Sequence, residues 1–193
     1  MSGGTQKERI LVGSSGASGA PLAIALLRAL RETDLEVHLV VSPGGRRTIG
    51  QETDLTMEQI CALADVVHDC ADVGAPPASG SWRDLGMVVI PCSMKTLAGI
   101  HSGYSDNLLL RAADVTLKEH RKLVLVPREC PMNPIHLRNQ YELAMMGAVI
   151  LPPVLSYYHG PESIGDMEQH IVGKILDQFG LEHKPFRRWG ETT

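Results

Sequence analysis

Several ordinary signatures are missing from this 193-residue chain, and each absence removes a class of function. Aromatic side chains make up only 4% of it, too few for a platform on which nucleic-acid bases stack. There is no excess of positive charge. Eighteen Lys and Arg face 22 Asp and Glu, for a formal net charge of -4, so nothing electrostatic favours nucleic acid or an anionic membrane. No apolar run is long enough to span a bilayer, and the polar segment 1–9 lacks the apolar core of a signal peptide, so a cytoplasmic location is the expectation. Cys61, Cys70, Cys92 and Cys130 show no C-x-x-C spacing and read as reduced thiols rather than a disulfide frame or zinc knuckle. The eight histidines never pair as H-x-x-x-H, so the pattern contains no dedicated metal site. Internal repeats and low-complexity segments are missing too. The length suits one compact α/β domain over residues 1–193.

What is present centres on Ile10-Leu11-Val12-Gly13-Ser14-Ser15-Gly16-Ala17-Ser18-Gly19-Ala20-Pro21. An aliphatic run ends in small residues and an apolar helical pattern follows, which spells strand, tight turn and helix start. Such a turn directs N–H groups beyond the strand, where an anion fits. Gly16 and Gly19 permit close approach, Ser14, Ser15 and Ser18 add hydroxyls, and Pro21 sacrifices no helical hydrogen bond. The stretch is neither G-x-G-x-x-G nor a P-loop. A phosphate cradle and a plain strand–helix turn both remain open from these residues alone.

Strands are expected at 9–12, 36–41, 86–90, 123–127 and 148–151, and helices at 21–31, 94–102, 106–120, 133–146 and 164–179. A short helix begins within 46–53. Thr56-Met57-Glu58-Gln59 opens another with a capping box, running to about residue 67. Residues 75–81, with Pro76, Pro77 and Gly80, read as a loop. The last helix carries Ile164, Met167, Ile171, Ile175 and Phe179 on one stripe. Alternation of strand and helix argues for an α/β fold with a mostly parallel sheet covered on both faces. In such sheets ligands collect beyond the carboxyl ends of the strands. The turns at Gly13–Gly19, Ser42, Cys92-Ser93 and Arg128-Glu129 all follow strands and converge on that edge.

Each candidate also has an ordinary role. Ser93 ahead of Met94-Lys95-Thr96 is a helix N-cap, and such a helix start also presents donors to a flat polar ligand. Glu52 alone reads as a surface residue. Arg111, Asp114 and Lys118 share a helix face as an ion-pair ladder. Arg128-Glu129 at the mouth of a buried strand is costly without partners, and Arg suits phosphate. Tyr157-Tyr158 sits in a Pro-flanked loop. Lys174 lies with His170, Asp177 and Gln178 on the polar face of the last helix, reaching a site only through another subunit. Residue chemistry alone supports an α/β domain that binds a phosphorylated or flavin-like ligand.

Taken in order, the motifs resemble the UbiX-like flavin prenyltransferases over nearly the whole chain. They are Gly16-Ala17-Ser18-Gly19, Glu52-Thr53-Asp54, Ala78-Ser79-Gly80-Ser81, Pro91-Cys92-Ser93 with Met87 and Thr96, and Asp106-Asn107-Leu108-Leu109. Arg111-Ala112-Ala113-Asp114-Val115, Leu117-Lys118-Glu119, Leu125-Val126-Pro127-Arg128-Glu129, Gly147-Ala148-Val149-Ile150, Pro152-Pro153, Tyr158-His159 and Arg188-Trp189 complete the set. Ala62-Leu63-Ala64-Asp65-Val66 and Ser93-Met94-Lys95-Thr96-Leu97 are similar to the small B-type subunits encoded with bacterial hydroxybenzoate and phenolic-acid decarboxylases.

The resemblance implies a three-layer Rossmann-like or flavodoxin-like fold in a homo-oligomer, a dodecamer built from trimers. Such an enzyme transfers a dimethylallyl group from dimethylallyl monophosphate to N5 and C6 of reduced FMN. The prenylated FMN serves a UbiD-like decarboxylase, and no metal takes part. By position, Gly16, Ala17, Ser18, Ser42, Ser93, Met94, Lys95, Thr96 and Arg128 would hold the flavin. Lys118, Arg128, Tyr158 and Lys174 would bind the prenyl phosphate. Glu129 would share a proton with the leaving phosphate, while Ser18 and Glu52 would assist loss of the C6 proton. Lys174 stands where the family typically places an arginine from a neighbouring subunit. Two alternatives share the architecture or the association: a flavin-dependent decarboxylase of peptidyl cysteine or phosphopantothenoylcysteine, and a non-catalytic flavin carrier attached to a decarboxylase.

Overall fold

In the computed structural model, which describes residues 7–186, 188 and 190, the apolar periodicities resolve into alternating strands and helices around one sheet. The order is β1 (Arg9–Ser14), α1 (Ala20–Leu30), β2 (Glu36–Val41), α2 (Pro43–Glu52), α3 (Met57–Cys61), β3 (Val66–His68) and β4 (Gly86–Cys92). There follow α4 (Met94–His101), α5 (Leu108–Lys118), β5 (Lys122–Pro127), α6 (Pro134–Met145), β6 (Val149–Ile150) and α7 (Ile164–Asp177). All strand pairs are parallel, in the order β3-β2-β1-β4-β5-β6. The order reverses between β1 and β4. A doubly wound sheet opens its crevice at that point, because the loops after the two strands depart to opposite faces.

Alternation within each strand sorts side chains between two cores. Ile10, Val12, Val37, Leu39, Val88, Ile90, Val124 and Val126 face α1 and α7. Leu11, Val40, Met87, Val89, Leu123 and Leu125 face α4 and α5. Each such side chain, fully withdrawn from water, contributes about 1.5–3 kcal/mol before entropy is charged against it.

The structure corrects several sequence expectations. The helix opened by Thr56 keeps its capping box but ends at Cys61 instead of running to about 67. Asp65 begins pairing with β2, its N–H donating to Val37 O (2.9 Å) and its carboxylate accepting the Val37 N–H (2.7 Å). The β-branched Val66-Val67 then continues as a strand. Helix α2 starts at Pro43 rather than near Arg46, because Ser42 Oγ accepts the Gly45 N–H (3.1 Å) and Pro43 takes the first turn. The loop at 75–81 contains a single 3-10 turn, Pro76–Ala78. Strand β4 runs to Cys92 through an irregularity between Val89 and Cys92 that accommodates Pro91. Ile164 is exposed and leaves the expected α7 stripe, whereas Ile171 and Ile175 are buried. Trp189 lies outside the described residues. Among them no helix is long and apolar enough to cross a membrane.

Candidate functional site

Ser15 ties the two loops at the sheet's reversal point together. Its N–H and hydroxyl both donate to Pro91 O (3.2 and 2.8 Å), and its Oγ accepts the Ser93 N–H (2.8 Å). The β5 end joins the same edge through the Arg128 N–H, which donates to Cys92 O (3.1 Å). The α2 start packs on the β1 loop backbone to backbone: a Cβ on Gly16 would lie 2.9 Å from Gly44 Cα. No larger residue fits either position without separating the loops. The expected convergence of these turns on one edge is what the chain folds into.

The α1 N-terminus carries its own anion. Gly19, at φ 120°, supplies no side-chain cap, and Glu52 at the end of α2 accepts the N–H groups of Gly19 (2.8 Å) and Ala20 (2.9 Å). Those two donors therefore belong to a protein carboxylate and not to an open phosphate cradle. Partial burial works to raise the Glu52 pKa. It is outweighed by hydrogen bonds from Ser18, Gly19 and Ala20 and by the charge of Arg128, which together hold the carboxyl below 4.5. Ser18, Glu52 and Arg128 border one cleft of about 620 Å³, walled by Leu22, Leu155, Met167 and Ile171. Glu168 borders it as well, its carboxyl pushed up by burial.

A second crevice of about 270 Å³ adjoins this edge and is lined by Gly16, Ser42, Gly44, Ser93, Lys95, Thr96 and Asn107, with Leu109 and Leu110 as its apolar part. Ser93 caps α4 by accepting the Thr96 N–H (3.2 Å) and also donates to Thr96 Oγ1 (3.0 Å). Asn107 caps α5 through the Leu110 N–H (3.0 Å). Ser14 Oγ, at the end of β1, is buried and has no partner among the described residues. Hydroxyls and one ammonium beside an apolar wall fit a flat, polar, phosphorylated ligand such as the flavin the resemblance implies. Ala17 and Met94 border neither space: the Ala17 N–H bonds Ser15 O within the turn (3.0 Å), and Met94 packs on the second core.

The remaining predicted residues separate. Tyr158 and Lys174 border a third cavity of about 260 Å³ together with His170. His170 is buried rather than on the polar face of α7. Glu129 sits beside Arg128, its carboxylate accepting the Cys130 N–H (3.0 Å). Lys118 is not brought to this edge. It ends α5, nine residues or about 13 Å of helix beyond Leu109, and pairs with Glu119. The expected ladder thus keeps only its Arg111–Asp114 rung (2.5 Å). Glu168 escaped the sequence reading, which gave Ser15 only as one hydroxyl of the turn, Asn107 only as part of a motif and His170 only as a polar-face neighbour of Lys174. Signals were present in the i, i+4 spacing of His170 to Lys174 and in Asn107, an N-cap residue ahead of an apolar helix, whereas the half-buried Glu168 is placed at the cleft only by the packing of α7.

Residues 2–179 match the family model described as Flavoprotein. The chain is 54% identical over 182 residues to a probable UbiX-like flavin prenyltransferase of Escherichia coli O157:H7, covering 94% of this chain and 92% of that one. Its fold matches a dodecameric FMN-dependent UbiX-like decarboxylase from Escherichia coli O157:H7 with a TM-score of 0.93 at 53% identity, covering 95% of this chain and all of that one. It matches AnUbiX (PadA1), solved in complex with FMN and dimethylallyl pyrophosphate, with a TM-score of 0.95 at 50% identity, covering 97% and 100%. The peptidyl-cysteine decarboxylase EpiD, at 18% identity and a TM-score of 0.61 over 78% and 84%, shares the fold alone.

Proposed function

The chain belongs to the UbiX-like flavin prenyltransferases within the flavoprotein family, and on that footing we propose how its own residues carry the reaction. It is an enzyme that transfers a dimethylallyl group to reduced FMN, the flavin being substrate and prenylated FMN product. The observation that carries the residue assignment is the meeting of Ser18, Glu52 and Arg128 on one apolar-walled cleft at the sheet's reversal point.

In the proposed scheme the α2 and α4 starts hold the flavin, with Ser42, Ser93, Lys95 and Thr96 as donors and Gly16 allowing close approach. Arg128 faces the phosphate of dimethylallyl monophosphate. As the allylic C–O bond breaks, negative charge grows on phosphate, and a fixed guanidinium stabilises it as it develops. Glu129, the next residue, shares a proton with that leaving group. The allylic carbon bonds to N5, whose proton is released; the remaining alkene takes up a proton, and its tertiary carbon then bonds to C6 and closes the ring. Glu52, ionised and hydrogen-bonded to Ser18, accepts the C6 proton with Ser18 as the relay. The apolar walls orient the two substrates and exclude water from a reactive allylic carbon.

The same proposal takes residues 1–193 as one domain and gives the product a UbiD-like decarboxylase as recipient. Lys118 and Lys174 act from neighbouring copies in a homo-oligomer, as the distance of Lys118 from the cleft demands. The dodecameric relative supports that assembly.

Anaerobic incubation of the protein with reduced FMN and dimethylallyl monophosphate, followed by mass spectrometry of the released flavin, tests the reading. A gain of one C5 prenyl unit is expected. Unmodified FMN from a protein that binds it, with the diphosphate tried in parallel, overturns monophosphate-dependent transfer.

A further inference from the structure

We propose that His170 is a positioning residue for Tyr158: its Nε2–H donates to the tyrosine oxygen and thereby turns the tyrosine proton towards the phosphate of the prenyl donor. The proposal rests on the proposed function, in which Lys174, and with it the Tyr158 that borders the same cavity, meets the prenyl phosphate of a neighbouring copy. His170 Nε2 and Tyr158 Oη lie 3.2 Å apart. The imidazole is held on three sides. It stacks on His159 (centroids 4.5 Å, interplanar 8°), meets the Tyr158 ring edge-on (5.3 Å, 84°) and leans on Phe186 (5.0 Å). Its exposure is 7%, so the ring cannot turn without repacking. Lys174 lies one helical turn further along α7 and borders the same cavity.

Proton accounting sets the direction of the bond. A tyrosine hydroxyl has one proton, and an ionised phosphate oxygen only accepts. If Tyr158 donated to His170, it would turn lone pairs towards an anion. With the proton on His170 Nε2, the tyrosine oxygen accepts from the imidazole and its own proton is available to the phosphate. The opposite ring nitrogen, Nδ1, is buried without a partner among the described residues, as suits the nitrogen that carries no proton. Burial, reinforced by His159 and Lys174, lowers the His170 pKa and keeps the ring neutral.

The test is steady-state prenyl transfer by wild type, His170→Phe, His170→Gln, Tyr158→Phe and the double variant His170→Phe/Tyr158→Phe. His170→Phe keeps a ring and removes the donor; it should raise KM for dimethylallyl monophosphate about 5- to 10-fold with kcat within about twofold. His170→Gln retains an N–H donor and should return KM to within about twofold of wild type. The double variant should be no worse than Tyr158→Phe, because one lost interaction is not lost twice. An unchanged KM in His170→Phe, or losses that multiply in the double variant, overturns the proposal. If His170→Phe does not fold, His170→Leu carries the same expectations. A wild type that prenylates FMN while Tyr158→Phe leaves KM unchanged would instead refute the placement of Tyr158; a wild type that transfers nothing would refute the reaction.

Discussion

A pair of stacked imidazoles appears twice in this protein, once in the amino half of the sheet and once beyond its carboxyl edge, and the two pairs are built to opposite ends. In the first, His38 and His68 stack at 5.1 Å and 13°, with His38 Nδ1 2.8 Å from His68 Nε2. The other His38 nitrogen meets Glu36 Oε1 at 2.6 Å, Arg9 holds Glu36 at 3.3 Å, and Trp82 closes over His38 edge-on at 4.8 Å. Both nitrogens of His38 are used. In the second pair, His159 Nε2 and His170 Nδ1 are buried with no partner among the described residues, and His170 borders a cavity beside Lys174. A polar cluster with its bonds closed under an aromatic lid is architecture, since opening it would strand buried donors. One whose tyrosine and ammonium border a cavity, as Tyr158 and Lys174 do, is arranged for something that arrives.

Variants that separate activity from stability tell the two clusters apart. Glu52→Gln, at the carboxyl edge, should cost the most, slowing flavin prenylation on the order of 10²- to 10⁴-fold. Because the folded pKa of Glu52 lies below 4.5, its stabilising bonds to α1 are present above that value and vanish as pH falls through the lower one. Melting temperatures of the variant and wild type should therefore differ at pH 7 and converge in strong acid. Equal rates would remove Glu52 from the chemistry.

His38→Ala should behave in reverse, destabilising the fold by about 2 kcal/mol in urea denaturation while prenylation per folded molecule stays unchanged. A rate loss in this variant would join the two regions that the geometry separates.

Acid titration sharpens the same contrast with a smaller effect. Burial chiefly lowers the pKa of His68, His170 and His183 from 6.5. Protons then favour the unfolded chain, and stability present above pH 6.5 is lost as pH falls towards the depressed values. Thermal melting of wild type should drop between pH 7.5 and 5.5, and His68→Phe should flatten that drop. A flat wild-type profile would mean that folded and unfolded chains take up protons alike over this range, so that burial does not depress these rings.

The smallest change is Lys174→Arg, which restores a planar fork at the phosphate and should lower KM for the prenyl phosphate about two- to threefold. An unchanged KM would take Lys174 out of the site.

Much of this was legible because it is local. Strand β2 appears at the expected 36–41, and Thr56 and Ser93 cap the helices they announce; side-chain periodicity and a cap three residues from its N–H are short-range properties. The turns of one edge were legible too, since a parallel sheet sends all its carboxyl ends one way. What the order of residues did not contain was which groups satisfy one another. Residues 62–67 carry apolar character that suits either helix or strand, and the bond of Asp65 to Val37 decided for the strand.

The alternation of elements, the edge on which the site forms and, through ordered motifs, the family are therefore written in the order of the residues. It took the folded arrangement to settle that Glu52 and not an open cradle takes the α1 N-terminus, that Lys118 ends a helix away from the cleft, and that His170 lies buried against Tyr158. The difference is one of range. Propensity and periodicity act over a few residues, whereas burial and hydrogen-bond satisfaction depend on partners 12 to 78 positions away, as for Tyr158 with His170 and Ser15 with Ser93.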